Sequence, residues 1–345
     1  MVAPRPDLSA APFPRESADR ADQVILVGDL GATYLRFALA RGGQLLTEPW
    51  QTERAAVRDC GEACRLSLSM FPHRLRIEGA ALAAAGPLDG GRIHLTNADW
   101  VLDPEALAGE LGLRAQRVRL LNDFVALARS LPTLHADGLR PLPGRSTVQP
   151  DPQGHRVVVG PGSGLGVAAL LHTPQGWWPL ATEGGHASAV AETDFERAAV
   201  AQAIARHGRA SWERLLSGPG LALLHALACE KAGRPPPSSD PAAVLAGCER
   251  GDPAALRAAR TFIEWMGAFA GDLALLYDAR GGVVLAGGIL PRLAQALPFD
   301  GLRTRFEAKG RFSAWAASLP LDLLVEPRAA LLGAARAYLD APGSH

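Results

Sequence analysis

Short apolar runs separated by glycine-rich turns set the pattern of this chain. Residues 24–27 (VILV) and 35–40 (LRFALA) each read as a buried strand. The link between them, residues 28–33 (GDLGAT), is short and rich in turn-forming residues. Residues 157–171 repeat this design around a turn with alternate glycines, Gly160, Gly162, Gly164 and Gly166. The pattern predicts two β-hairpins whose tips carry function.

Other segments read as strands that lead into turns or helices. A buried strand is expected at residues 77–85, and a shorter one from Val118 leads into Asn122-Asp123 and a helix. A third strand, from Val283, enters Gly287-Gly288 before another helix. Apolar residues recur at helical spacing in three stretches, which we expect to be helix-rich: residues 54–70, 221–277 and 329–339.

The length and composition of the chain limit the classes of protein to which it can belong. With 345 residues the chain is long for one domain and comfortable for two. Its formal net charge is zero, so nothing in it points to nucleic acid or an anionic membrane surface as a partner. Its four cysteines do not form a disulfide framework or a zinc-ligand pattern, and no apolar run reaches the ~18 residues of a membrane span. We therefore expect a soluble protein of a reducing compartment.

Two stretches lack hydrophobic periodicity. Residues 1–21 are rich in Pro, Ala and charge and are predicted to form a flexible tail. Residues 132–154 contain repeated Pro and Gly and are interpreted as the crossover from a first domain to a second.

The first hairpin combines groups that suit a phosphate. Gly31 lets the backbone N–H groups approach an anion closely, Thr33 adds a hydroxyl donor, and Arg36 adds a fixed positive charge. A carboxylate at Asp29 makes sense among such groups if a divalent cation lies between it and the phosphate. The alternative is an ordinary hairpin with a tight turn.

The second hairpin offers Gly162, Ser163 and Gly164 at its tip, with the serine hydroxyl in the role of Thr33. Neither hairpin fits the P-loop motif, and the dinucleotide-binding pattern fails because its third glycine is missing and a strand follows the turn. Two phosphate hairpins far apart in sequence indicate two related domains that grip one nucleotide across a cleft.

Polar residues at two other junctions are candidates for chemistry. Asn122 and Asp123 lie where a strand's carboxyl end meets a helix, as ligand-binding residues do in open α/β sheets, although a plain N-cap explains them equally. Glu183 and His186 flank Gly184-Gly185, whose sharp turn brings both side chains to one side. They suit a metal site, an acid/base pair or a set of hydroxyl contacts, and a purely structural histidine is the alternative.

Taken together, these motifs resemble the actin-like ATPase and sugar-kinase superfamily and, within it, the bacterial glucokinases, over residues 23–339. The resemblance implies an α/β, two-domain actin-like (ribonuclease H-like) fold with a cleft between a small and a large domain. The domains would comprise the tail at 1–21, a small domain of 22–133 plus 326–345, and a large domain of 134–325. It implies ATP-dependent phosphorylation of glucose to glucose 6-phosphate in the cytoplasm, as a homodimer.

The resemblance also implies roles for residues. Asp123 becomes the catalytic base, and Asp29 holds Mg²⁺ directly or through water. The phosphates of ATP would contact Gly31, Thr33, Arg36 and the second hairpin at Gly162, Ser163 and Gly164. The adenosine would lie at Gly287 and Gly288, whose alternative is a plain strand-to-helix turn. The sugar would contact Asn97, Asn122, Asp123, Glu183, His186 and Glu213; taken alone, Asn97 is equally a turn cap and Glu213 an exposed carboxylate at a helix start.

The chain departs from the family pattern at Ala32, where a second glycine is usual, so a Cβ lies where backbone approaches phosphate. Two rival functions remain open at this stage. One is a kinase of another hexose, and the other is a sugar-binding regulator without turnover. Such regulators generally carry an N-terminal DNA-binding module, which residues 1–21 are too short to form.

Overall fold

The computed structural model describes residues 18–72, 75–95, 99–142, 151–235, 238 and 240–340. The candidate residue Asn97 lies outside these ranges. The strands, in chain order, are β1 (Ile25–Leu30), β2 (Tyr34–Arg41), β3 (Gln44–Leu45), β4 (Trp50–Glu53), β5 (Gly79–Ala84), β6 (Leu88–Asp89), β7 (Arg92–His94), β8 (Val101–Leu102), β9 (Val118–Asn122), β10 (Leu139–Pro141), β11 (Arg156–Pro161), β12 (Leu165–Thr173), β13 (Gly176–Thr182), β14 (Gly282–Leu285) and β15 (Leu321–Leu324).

The α-helices are α1 (Ala18–Ala21), α2 (Cys60–Ser69), α3 (Pro104–Leu111), α4 (Asp123–Ser130), α5 (Asp194–His207), α6 (Trp212–Leu215), α7 (Gly218–Lys231), α8 (Pro241–Glu249), α9 (Pro253–Leu276), α10 (Ile289–Ala296), α11 (Asp300–Glu307), α12 (Ser313–Ala317) and α13 (Ala329–Leu339). Short 3-10 turns occur at Arg54–Ala56, Ala115–Arg117, Leu131–Thr133, Ala136–Gly138, Gly184–His186 and Gly310–Phe312. None of the described helices combines the length and the apolar character that a membrane crossing requires.

The described residues fall into two compact units. The first unit draws on Met1–Ala126, Thr173–Trp177 and Ala330–His345, and the second on Leu127–His172 and Trp178–Ala329. The main sheet of the first unit has the order β3-β2-β1-β5-β9, and β4 also pairs with β2. In it β1 and β2 are antiparallel, whereas β5 and β9 run parallel to β1.

Both faces of this sheet are buried, which explains the continuous apolar runs in the sequence. Alternate residues of β1 belong to separate hydrophobic clusters, with Leu26 and Leu30 in one and Ile25 and Val27 in the other. The second cluster also contains side chains of α13 and a row of small residues on β2 and β5, namely Ala38, Ala40, Ala81 and Ala83. Small residues on this face let the helix approach the sheet closely.

The sheet of the second unit, β10-β15-β14-β11-β12-β13, repeats the core of the first. An antiparallel hairpin, β11–β12, is again followed by two strands, β14 and β15, that run parallel to its first strand in succession. The succession β2-β1-β5-β9 therefore corresponds to β12-β11-β14-β15. This correspondence agrees with the two related domains that the paired hairpins predicted.

The core of the second unit surrounds the long helix α9. Asp252 caps its first turn by accepting a hydrogen bond from the Ala254 N–H, and Pro253 occupies the first helical position. Trp265 of this helix is fully buried and meets the ring of Trp212 edge-on at 6.2 Å. Trp212 also stacks on Phe269 at 5.2 Å, so α6 is anchored in the core.

Three sequence predictions of local structure need correction. The helix expected over residues 54–70 begins only at Cys60, because Asp59 caps it by accepting from the Glu62 N–H. The first hairpin turn is shorter than predicted, because β1 continues through Asp29 to Leu30. The crossover segment contains the short strand β10, which pairs with β15.

Alanine substitutions at two helical glycines, one of them in α13, test how closely α13 is packed. A Cβ at Gly333 of α13 would overlap the backbone carbonyl of Ala126 in α4, whereas a Cβ at Gly109 of α3 would meet nothing within 4 Å. We expect Gly333→Ala to lower the free energy of unfolding by about 1–3 kcal/mol, since backbone must move. Gly109→Ala should raise it by about 0.5–1 kcal/mol through helix propensity.

Urea unfolding of both variants measures these changes. Shifts of the same sign in the two variants would contradict the close packing of α13.

Candidate active site

The carboxyl ends of three strands bring the candidate residues of the first unit to one edge of its sheet. On one side of β5, Asp29 of β1 is level with Ala83. On the other side, Asn122 of β9 is level with Ala84, and Asp123 follows as the first residue of α4. Residues that lie far apart in sequence therefore converge here, as expected for a ligand site in an α/β sheet.

Asp29 lies directly opposite Arg36 in the β1–β2 ladder. Their side chains form a long ion pair, with Arg36 Nη1 3.5 Å from Asp29 Oδ2, while Arg36 Nε donates to Gln51 Oε1 at 3.1 Å. Burial raises the pKa of Asp29, and the Arg36 charge offsets part of this shift.

The turn itself is Gly31-Ala32-Thr33, and a residue missed in the sequence analysis holds it. Arg54 Nε donates to the Ala32 carbonyl at 2.9 Å, and the Arg54 N–H donates to the Thr33 carbonyl at 2.8 Å. The Gly31 N–H donates to the Tyr34 carbonyl, whose oxygen would lie 2.9 Å from a Cβ at Gly31. The role of Arg54 had no signal in the sequence, because it depends on β4 returning beside β2.

Asp123 has a strongly perturbed acidity. Burial raises its pKa to about 6, and the negative charge of Asp29 is the next cause. Hydrogen bonds from backbone N–H groups, including that of Phe124 at 2.9 Å, act in the opposite direction. A carboxylate with this pKa is ionised at neutral pH and still accepts a proton readily.

Asn122 does act as a cap for the helix. Its Oδ1 accepts hydrogen bonds from the N–H groups of Phe124 at 2.9 Å and Val125 at 3.3 Å. Its Nδ2 donates to the Gly86 carbonyl at 3.2 Å, so one Nδ2 hydrogen remains for another acceptor. The capping interpretation left open by the sequence is therefore correct for Asn122, and the amide offers a ligand a donor rather than both of its sides.

In the second unit, the turn Gly162-Ser163-Gly164 joins β11 to β12. The Gly162 N–H donates to the Gly164 carbonyl at 2.8 Å, and the Gly162 carbonyl accepts from the Gly218 N–H at 2.9 Å. The second bond ties the turn to the start of α7. A Cβ at Gly162 would meet nothing within 4 Å, so the space beside this residue is open.

Three predicted sugar-binding residues lie together beside this turn. His186 Nε2 is 3.7 Å from Glu183 Oε2, and His186 Nδ1 is 3.8 Å from Glu213 Oε1. The side chains of Glu183, His186 and Glu213 are 70%, 56% and 26% exposed, respectively. They form an open polar surface that can pair with several hydroxyl groups.

A second residue missed in the sequence analysis holds the His186 loop. Arg209 Nη2 donates to the His186 carbonyl at 3.0 Å and to Ser188 Oγ at 3.3 Å. The Trp212 N–H donates to the Ala187 carbonyl at 2.9 Å. The loop is thus fastened to the segment that leads into Glu213, an interaction that only the folded chain brings about.

A cavity of about 530 Å³ opens within the second unit next to the turn. Its lining combines cationic, polar and small apolar side chains, namely Ser163, Arg206, His207, Glu213, Arg214, Ser217, Pro219, Ala222, Leu223, Ala226 and Ser238. Its size and mixed lining suit a small organic molecule with a charged end.

Gly287 and Gly288 follow β14, at the edge where β11 also ends. Gly287 has a φ of +85°, and a Cβ there would overlap the Pro161 carbonyl, so only glycine fits. A Cβ at Gly288 would meet nothing within 4 Å. Space is thus open beside Gly288 but not beside Gly287, and neither glycine is among the residues that line the cavity.

A duplicated α/β core with two glycine turns and a partly buried carboxylate at a strand end has the architecture expected of the actin-like ATPase and sugar-kinase class. A family model described as Glucokinase matches residues 26–341, and the chain belongs to this family. The predicted activity, ATP-dependent phosphorylation of glucose to glucose 6-phosphate, is thereby confirmed, as is the prediction of an enzyme.

Similar proteins agree with this assignment. The chain is 38% identical over 333 residues to a glucokinase of Stenotrophomonas maltophilia (strain R551-3), covering 94% of this chain and 98% of that protein. It is 37% identical over 315 residues to a glucokinase of Mesorhizobium japonicum, covering 90% of each.

Solved structures confirm the predicted fold. A glucokinase from an Antarctic psychrotroph superimposes with a TM-score of 0.79 at 31% identity, covering 92% of this chain and 99% of that one. A ROK family glucokinase from Streptomyces griseus, solved with glucose and AMPPNP, has a TM-score of 0.63 at 18% identity, covering 90% and 98%. The second likeness concerns the fold alone.

The electrostatic link between the two aspartates is testable without turnover. We expect Asp29→Asn to lower the pKa of Asp123 below about 6, because the second largest cause of its upward shift disappears. Carboxyl ¹³C chemical shifts recorded across a pH titration would measure this change. Asp89→Asn, at an exposed position of β6, is the matched control and should leave the titration of Asp123 unchanged. An unaltered Asp123 pKa in Asp29→Asn would refute the link.

Proposed function

We propose that Asp123 is the general base in the transfer of the γ-phosphoryl group of ATP to the 6-hydroxyl of glucose. The observation that carries this assignment is the pKa of about 6, produced by burial and by Asp29. A general base is most effective when its pKa lies near the working pH.

The chemistry asks little more of the protein than alignment, charge neutralisation and one proton acceptor. Asp123 takes the hydroxyl proton as the sugar oxygen bonds to the γ-phosphorus, and the bond from that phosphorus to the bridging oxygen of ADP breaks. Below a pH of about 6, protonation of Asp123 removes the base, so turnover should fall as the pH falls through this value.

The sugar contacts follow from the hydrogen-bonding capacity of each group. Asn122 donates through its remaining Nδ2 hydrogen, and Glu183, His186 and Glu213 pair with other hydroxyls. A sugar that lacks or misplaces a hydroxyl leaves one of these groups unpaired, at a cost of roughly 1–3 kcal/mol. Asn97 belongs to the same proposal through the family resemblance.

The phosphates of ATP would be bound by the two glycine turns. The contacts in the first turn would come from Gly31, Thr33 and the nearby Arg36. Those in the second turn would come from Gly162, Ser163 and Gly164. The cavity beside Ser163, with Arg206 and Arg214 in its lining, supports a nucleotide site in the second unit. The open backbone at Gly288 next to Gly287 supports the predicted adenosine contact.

The residues of the first unit fit a magnesium ion bound together with ATP. Asp29 is a partly buried carboxylate whose ion pair with Arg36 is long, so its charge is only partly neutralised. No set of three metal-ligating side chains occurs among the residues that the structure describes. Mg²⁺ commonly needs only one or two carboxylates besides phosphate oxygens, and it would supply neutralisation of phosphate charge.

The homodimer and the cytoplasmic location also remain part of the proposal. Both rest on the family resemblance, whereas the expectations that neither nucleic acid nor a membrane is a partner rest on the balanced charge and on the lack of a long apolar run.

The base assignment predicts a large loss of turnover without loss of sugar binding. In Asp123→Asn we expect kcat to fall by about 10²- to 10⁴-fold, because the amide cannot accept the proton. Glucose affinity, measured by calorimetry, should stay close to that of the unmodified protein. Assays with glucose, mannose, fructose and N-acetylglucosamine in parallel establish the preferred hexose. Full turnover in Asp123→Asn would exclude it as the base.

The metal assignment predicts a changed dependence on Mg²⁺. Asp29→Asn should raise the Mg²⁺ concentration for half-maximal activity by about 10- to 100-fold. Asp89→Asn serves as the control, and its activity should depend on Mg²⁺ concentration as that of the unmodified protein does. If Asp29→Asn and the unmodified protein respond alike to Mg²⁺, Asp29 does not hold the metal.

A further inference from the structure

The carboxylate of Glu213 rests on the turn that we assign to phosphate. Its Oε2 accepts a hydrogen bond from the Leu165 N–H at 3.0 Å, at the first residue of β12. Its Oε1 lies 3.8 Å from His186 Nδ1. One oxygen is therefore held by the hairpin while the other lies among the sugar-side residues.

The space for this carboxylate exists because residue 164 has no side chain. A Cβ on Gly164 would lie 2.5 Å from Glu213 Oε2 and 3.3 Å from its Cδ. Its φ lies outside the left-handed range, so the backbone there does not itself require glycine. The requirement is one of space, and the atom in conflict is the end of a flexible side chain rather than backbone.

The backbone around Glu213 is held in place by its neighbours. The contact with the hairpin therefore determines where the Glu213 carboxylate lies. Ser211 caps α6 by accepting from the Arg214 N–H, and Trp212 is buried against Trp265 and Phe269. The backbone at residue 213 is thus fixed by the core, and only the side-chain torsions can respond to a change at Gly164.

We propose that Gly164 is a positioning residue for the sugar: it leaves the space in which the Glu213 carboxylate is held on the phosphate hairpin. The turn assigned to the nucleotide thereby also sets the geometry of sugar recognition. This inference rests on the proposed role of Glu213 in binding the sugar.

The test compares two alanine substitutions in the same turn. Glucose affinity is measured by calorimetry without nucleotide, and the KM for ATP is measured separately. Gly164→Ala should weaken glucose binding by about 10- to 100-fold, the equivalent of a lost hydrogen bond to a charged group. Gly162→Ala has open space for its Cβ and should change the KM for ATP, with glucose affinity within about twofold of the unmodified protein.

A double-mutant cycle with Glu213→Ala keeps the inference falsifiable. Once the carboxylate is removed, Gly164→Ala should weaken glucose binding no further, and a Gly164→Ala protein that folds poorly should be rescued by the second substitution. Additive losses, or unmodified glucose affinity in Gly164→Ala, would overturn the inference. If the unmodified protein itself does not bind glucose, the proposed function fails instead.

Discussion

The site in the first unit depends on two partly buried carboxylates, Asp29 and Asp123, whose charges interact. Because β1 and β9 flank β5 in parallel, Asp29 and Asp123 reach the same edge of the sheet. Both side chains are partly buried, so each ionised carboxylate is disfavoured by desolvation, and the charge of Asp29 further raises the pKa of Asp123. Two neighbouring negative charges are unfavourable in free energy when no ligand is bound. The pair therefore favours the binding of a cation and the uptake of a proton, which are both expected in phosphoryl transfer.

Glycines on the first strand of each hairpin allow close packing with the segment beside them. Gly28 on β1 leaves room for Leu82 of β5, and Gly160 on β11 leaves room for the backbone of Ala286 after β14. The close neighbour is a side chain at Gly28 and backbone at Gly160, and in both places the glycine makes room for the neighbouring chain segment.

In the second unit, hydrogen bonds to the backbone, rather than an electrostatic interaction between carboxylates, hold the polar residues in place. Arg209 and Trp212 fix the His186 loop, while Gly164 and Leu165 hold Glu213. The side chains themselves remain partly exposed. In the proposed role of these residues, selectivity depends on where their hydrogen-bonding atoms lie, since each sugar hydroxyl must find a partner.

The sequence by itself determined the elements and the chemistry that local pattern encodes. Apolar runs predicted the hairpins, and the Asn122-Asp123 junction predicted a site at a strand end. Only the tertiary structure decided that Asn122 Oδ1 caps the helix while Nδ2 binds the Gly86 carbonyl, that Arg54 and Arg209 support the two loops, and that Gly164 accommodates Glu213. The pKa of Asp123 was equally beyond the sequence. Burial and contacts between residues distant in the chain are properties of the folded arrangement, and no local pattern carries them.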